Sequence, residues 1–353
     1  MLRRKYFNSL GAFVLSMALV TTANVGMVKA ATLDRLGGLD RYNTARQVAE
    51  GVFSKSENVI LVNGQGYADA VSATPLAKKL NAPILLTEAD KLTSGVLDTI
   101  KKIGAKNVYI VGGEGVVKDS VVSKLQSNGL KVHRYAKAGG NRYDTNAVVA
   151  REVIKRTGAK KAILVNGQDG YSDALSVASI AAKLEIPVLI SNSKKMDAEV
   201  KKVIDENKLE VMAVGGAAVL PDSVVKSVNG KRVAQGGNRY KTNINVLNYF
   251  KSNLSFNTIY VAAGGNDNVR NFADALVASA AAAKEGSPLV LSGNSASSAD
   301  REASESFVRN NINKDSKITL IGSTGVLSKE IENKLRKIAE YASEGDLEII
   351  AIE

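Results

Sequence analysis

Short runs of Val, Ile and Leu, bounded by Gly, Asn and Pro, alternate along the chain with longer segments in which apolar residues recur every three or four positions. The runs at 58–62, 83–86 and 107–111 are apolar without alternation, the pattern of strands covered on both faces. The segments at 45–53, 69–80, 94–103 and 117–128 read as helices, and a last strand is expected at 131–135. Strands alternating with helices imply crossover connections, a mostly parallel sheet and helices on both sides: a three-layer α/β unit. Asp40 or Thr44 can cap the first helix. Asn63-Gly64 ends the first buried strand with a pair suited to positive φ, and Pro83 opens the next without removing a central ladder bond.

The same pattern returns three times. Gly38-Leu39-Asp40-Arg41-Tyr42-Asn43-Thr44 recurs as Gly139-Gly140-Asn141-Arg142-Tyr143-Asp144-Thr145 and as Gly236-Gly237-Asn238-Arg239-Tyr240-Lys241-Thr242, so the arginines lie 101 and 97 residues apart. In the same order follow Val62-Asn63-Gly64, Val165-Asn166-Gly167 and a looser Ala262-Ala263-Gly264, then Asp69, Asp173 and Asp274. Pro83, Pro187 and Pro288 each open an apolar run, and a later strand ends at Gly112-Gly113, Gly215-Gly216 and Gly322-Ser323. The spacing divides the chain into 31–135, 136–232 and 233–353, with a helix at 328–341 and a final strand at 347–352. Such a third unit is expected to leave no room for a separate catalytic region.

Residues 1–30 read as a secretory leader. Arg3, Arg4 and Lys5 precede a mostly apolar stretch, and Val28-Lys29-Ala30 offers small residues at a cleavage point. The stretch is broken by Asn8, Ser9, Gly11, Thr21, Thr22 and Asn24, short for a spanning helix, so no membrane span is expected after cleavage. Removing the leader removes four bases and no acids, so 47 bases become 43 against 35 acids, a charge of +8. An exported basic protein meets anionic wall polymers or lipid headgroups rather than nucleic acid. Cys is absent and His133 is the single His, which excludes disulfides, thiolate chemistry and His-cluster zinc sites. His133 falls in the strand at 131–135, a poor setting for a triad.

The repeated side chains are the candidate ligand-binding residues: Arg41, Tyr42, Asp69, Arg142, Tyr143, Asp173, Arg239, Tyr240 and Asp274. An arginine fork suits phosphate, and a tyrosine suits a sugar face; alternatively Arg pairs with an acid across a repeat junction and Tyr fills the seam. Each Asp falls near a helix start, where it can cap the helix, touch a ligand or hold a cation, although no second carboxylate follows two residues on. The Gly-Gly turns lack the Lys-Ser/Thr tail of a phosphate loop.

Arg35-Leu36-Gly37-Gly38-Leu39-Asp40-Arg41-Tyr42-Asn43-Thr44-Ala45 resembles the signature of the bacterial cell wall-binding repeat 2 family of clostridial wall and S-layer-associated proteins. The three copies cover nearly all of the chain after the leader. The resemblance implies a Toprim-like α/β fold in each repeat and a pseudo-threefold assembly. It also implies noncovalent anchoring at the cell surface to an anionic secondary wall polysaccharide, with S-layer proteins as possible partners; from the residues themselves no catalytic residue, metal or cofactor is expected. In that family an Ile-Leu-Leu run is associated with anchoring; here it is Ile84, Leu85 and Leu86, for which buried strand is the simpler role. Asn141 and Asn238 replace Asp40, Asn146 and Asn243 replace Ala45, Ser323 replaces a glycine, and residues 266–271 read as an insertion, so the third site is expected to be altered. A wall-active enzyme, an amidase or glycosidase carried by the repeats, is the competing reading.

Overall fold

The computed structural model describes residues 30–168, 171–265 and 272–344; residues 1–29 of the expected leader, the expected insertion at 266–271 and the expected strand at 347–352 lie outside the described residues. Three four-stranded parallel sheets organise the rest. The first runs in the order β3 (Ile84–Thr87), β2 (Asn58–Asn63), β4 (Asn107–Val111), β5 (Lys131–Tyr135). The second repeats it with β7 (Val188–Ser191), β6 (Lys161–Asn166), β8 (Glu210–Val214) and β9 (Lys231–Ala234). The third has β11 (Leu289–Ser292), β10 (Thr258–Ala263) and β12 (Lys317–Ile321), and its fourth place is taken by β1 (Thr32–Leu36).

That last pairing departs from the sequence spacing, which groups 32–36 with the first repeat. Thr32 lies opposite Lys317 and Leu36 opposite Ile321, in parallel register. The reason is cyclic equivalence: β5 and β9 each precede an Arg-Tyr turn, and so does β1. Strand β1 therefore takes in the third sheet the place that β5 and β9 take in the first and second, and the three sheets close into a ring.

Among the described residues each unit carries four α-helices. The first set is α1 (Arg41–Val48), continued by a π-helical turn at Ala49–Phe53, with α5 (Arg142–Thr157) and α9 (Arg239–Tyr249). These start earlier than apolar periodicity suggests because Asp40, Asn141 and Asn238 cap them; the Asn43 N–H donates to Asp40 Oδ1 at 2.7 Å. The second set, α2 (Ala68–Leu80), α6 (Tyr171–Lys183) and α10 (Ala273–Glu285), is rich in Ala and Ser, and each member touches the other two around a pseudo-threefold axis. Small side chains permit this approach: the hydroxyls of Thr74 and Ser279 meet at 2.9 Å. The outer helices are α3 (Val96–Lys102) and α4 (Asp119–Gln126), α7 (Ala198–Asn207) and α8 (Asp222–Lys226), and α11 (Ser298–Arg309) and α12 (Lys329–Glu344).

The edge strands β7 and β11 are covered by α5 and α9 and held by a buried carboxamide. Asn146 Nδ2 donates to the Val188 carbonyl at 2.8 Å, and the Ile190 N–H donates to Asn146 Oδ1 at 3.1 Å. Asn243 repeats this with Leu289 and Leu291 at 3.0 and 2.9 Å. One side chain thus supplies the donor and acceptor that another strand would offer, which accounts for these two departures from Ala45 as fold devices. Ile84, Leu85 and Leu86 form β3 and are 2, 0 and 0 % exposed.

Candidate functional site at the repeat seams

Asp69 and Asp274 are second in α2 and α10, and Asp173 is third in α6. They favour the helix dipole there, but the preceding N-cap positions of α2 and α10 carry no side-chain cap bond. The carboxylates are aimed across the seam instead. On one side each meets a glycine at the end of a strand of its own repeat, Gly112, Gly215 or Gly322, with φ of +129°, +116° and +123°. A Cβ at these glycines would stand 3.0, 2.5 and 2.7 Å from the carboxylate oxygen, so glycine is required both by φ and by close approach. The next position has open space at Gly113, so Ser323 is tolerated in the third repeat without distortion.

On the other side each carboxylate faces the following repeat. Asp69 lies in the field of Arg142. Asp173 accepts a hydrogen bond from Thr242 near Arg239 and Arg232, and Asp274 accepts one from Thr44 near Arg41. The order is first to second, second to third and third back to first. Burial outweighs these partners and raises each carboxyl from 3.8 to about 6.

Arg41, Arg142 and Arg239 are anchored within their own repeats, donating from Nη1 to the carbonyls of Gly64, Gly167 and Gly264 at 2.6, 2.8 and 3.3 Å. The Arg41 guanidinium also stands 5.8 Å from the Phe272 ring centroid of the third repeat. The tyrosines fill space around the same turns. Tyr42 and Tyr240 place Cε1 2.7 Å from where a Cβ on Gly64 or Gly264 would be, and Tyr240 donates to the Gly265 carbonyl at 3.2 Å. The Tyr143 hydroxyl lies 3.5 Å from Gln168 Oε1. The structure therefore brings Arg and Asp of successive repeats together at three equivalent seams, whereas Tyr42, Tyr143 and Tyr240 pack against the turns of their own repeats and line neither of the clefts that open there.

Two clefts open at these seams. One of about 720 Å³ lies between the first and second repeats, lined by Gln65, Asp69, Asn141, Arg142, Thr145 and Gln168, with Tyr67 and Phe272 as its aromatic wall. Those two rings meet edge to face at 6.0 Å, bringing a third-repeat residue to a first–second cleft near the axis. A smaller cleft of about 240 Å³ lies between third and first repeats, beside Arg41, Asp274 and Ser323. Carboxamides, a guanidinium and aromatic faces together suit hydroxyl-rich and anionic ligands.

A second repeated arginine, whose equivalence across the three units the sequence motifs do not reveal, lies on the strand before each Arg-Tyr turn. Arg134 donates to the carbonyls of Gly112 and Val117, both at 2.9 Å, and to Asp119 at 3.1 Å. Arg35 bonds Gly322, Leu327 and Glu332, and Arg232 bonds Gly215, Leu220 and Asp222. They fasten the glycine loops against which the aspartates press. Their signal is a cation at one register of three equivalent strands, opposite Ile110, Ala213 and Leu320. His133 lies on β5 with its ring stacked on Tyr109 at 4.9 Å.

The profile of the family described as cell wall binding domain 2 matches residues 35–122, 137–225 and 233–332. N-acetylmuramoyl-L-alanine amidase LytC of Bacillus subtilis is 34% identical over 308 residues, 86% of this chain and 58% of that protein. The amidase enhancer of the same organism is 32% identical over 86% of this chain and 40% of its own length. Among solved structures, Cwp6 from Clostridium difficile superposes with a TM-score of 0.74 at 28% identity, covering 93% of this chain and 51% of that one. Cwp8 gives 0.74 at 29% over 87% and 52%. The chain thus spans between two-fifths and three-fifths of each of these relatives.

Proposed function

The chain belongs to the cell wall binding domain 2 family, and from that premise we propose that it is exported and held noncovalently at the cell surface by an anionic secondary wall polysaccharide taken up at its seams. The observation that carries this reading is the first–second cleft, where Arg142 and the carboxamides of Gln65, Asn141 and Gln168 line one opening. Guanidinium groups recur at the other seams, so a long polyanion meets cations at intervals around one ring, and several weak contacts add as avidity. The cation count, the leader and the wall setting of the family support the same reading, and S-layer proteins are the expected neighbours.

The test is co-sedimentation of the mature chain with purified walls, before and after removal of their anionic polysaccharide, at two salt concentrations. Binding that is lost on stripping, weakens with salt and falls in Arg142→Ala supports the proposal. Equal binding to stripped walls at both salt concentrations overturns it. A wall-active enzyme is the second reading, favoured by the names of the two Bacillus subtilis relatives; release of muropeptide fragments by the purified chain would establish it.

A further inference from the structure

A cleft of about 670 Å³ lies away from the aspartates, between the edge strand β9 and helix α9. Asn245, Asn248 and Tyr249 fall on one face of α9 by their i, i+3 and i+4 spacing, and Gln235 closes the strand side. All four are exposed, Tyr249 by 54%. The Tyr249 ring is not loose: buried Phe250 meets it edge to face at 4.8 Å and fixes its orientation. The carboxamides of Gln235 and Asn248 have no partner among the described residues, and Asn245 Nδ2 donates to the Gln235 carbonyl at 2.7 Å, bracing strand against helix.

Two further observations set this place apart. The β8–β9 register shifts between Ala213 and Val214, so that Ala213 pairs with Arg232 and Val214 with Ala234; Val233 is the extra residue of a bulge on the edge strand. At the first–second seam, Tyr135 donates to Glu152, which also pairs with Arg156 at 2.6 Å. At the third–first seam the Leu36 side chain lies 3.1 Å from where a Cβ on Gly51 would be. The corresponding ground is filled twice and open once. Among the described residues lining the open cleft the one cation, Arg232, is committed to Gly215, Leu220 and Asp222.

We propose that this cleft binds an uncharged pyranose unit of a glycan, with Tyr249 against the apolar face of the sugar and Asn245, Asn248 and Gln235 bonding its hydroxyl or acetamido groups. It is a neutral-sugar site, separate from the anion-directed seams, and its failure would leave the proposed function standing. The probes are soluble tetramers of N-acetylglucosamine and of glucose, titrated into the mature chain and followed by the side-chain amide signals of Asn245 and Asn248. The expected result is saturable binding unchanged by added salt, weakened about tenfold in Tyr249→Ala, by several-fold in Asn248→Ala, and kept in Tyr249→Phe. Binding that survives Tyr249→Ala unchanged, or no response to either tetramer up to about 10 mM, overturns the proposal. Walls stripped of anionic polymer then identify the source: residual binding abolished by Tyr249→Ala assigns the sugar to the peptidoglycan strand, and no residual binding assigns it to the polymer.

Discussion

Replacing Asp69 by Asn should stabilise the protein at alkaline pH and leave it nearly unchanged in acid. In the folded chain the half-buried Asp69 presses its carboxyl against Gly112 at the wall of the first–second cleft, and its pKa rises from 3.8 to about 6. A carboxyl whose folded pKa is raised contributes its full stability below about pH 4, where both states are protonated, and loses it as the pH climbs through 6. The difference of about two pKa units corresponds to at most about 3 kcal/mol at pH 8, since solvent in the cleft screens part of it. An amide of the same shape avoids that penalty but forgoes up to about 1 kcal/mol from a carboxylate in the first turn of α2. The expected gain is therefore about 2 kcal/mol at pH 8 and near zero at pH 4, read from urea midpoints of wild type and Asp69→Asn across the range. A variant less stable than wild type at pH 8, or an equal difference at both pH values, would refute the account of Asp69 as a desolvated carboxyl.

Asn243→Ala should lower stability by about 2–4 kcal/mol, because it leaves the Leu289 carbonyl and the Leu291 N–H buried without their partner; denaturant unfolding measures it directly. Gly322→Ala should cost at least 1–3 kcal/mol, roughly the strain of a left-handed backbone together with the approach of Asp274, whereas Ser323→Gly should stay within about 0.5 kcal/mol of wild type in the same thermal melt. Protection of the β3 amides from hydrogen exchange should fall below that of β7, since Ala45 supplies no carboxamide to the edge of the first sheet.

The alternation of apolar runs and helices, and the repeat itself, were legible because both are local in sequence: β2, β3 and β4 fall where continuous apolar runs lie, and β5 falls where the repeat spacing leaves a last strand. The strand β1 was not, since nothing in residues 32–36 says that their partner lies at 317–321; only closure of the ring supplies that information. The nine repeated residues were visible as a set, but their geometry was not. Asp69 and Arg142 belong to different copies of the motif, and a comparison that stacks the copies separates residues that the fold brings together. The shared role of Arg35, Arg134 and Arg232 was hidden for another reason: a cation in a strand reads as surface until the carbonyls it gathers are seen.

Because β1 seals the last sheet and the Ala31 N–H donates to Ser343 Oγ at 2.8 Å, the repeat number is a closed count. An open solenoid can gain or lose a unit and remain a shorter version of itself. Here each unit hands its aspartate to the next and takes a strand or a helix in return, so two copies would make an arc with one axial helix face uncovered, and a fourth would find no seat. Excision of a single repeat is therefore not a graded reduction in valency but the loss of the particle. Adding or removing a whole unit of this chain carries a penalty that an open array does not impose.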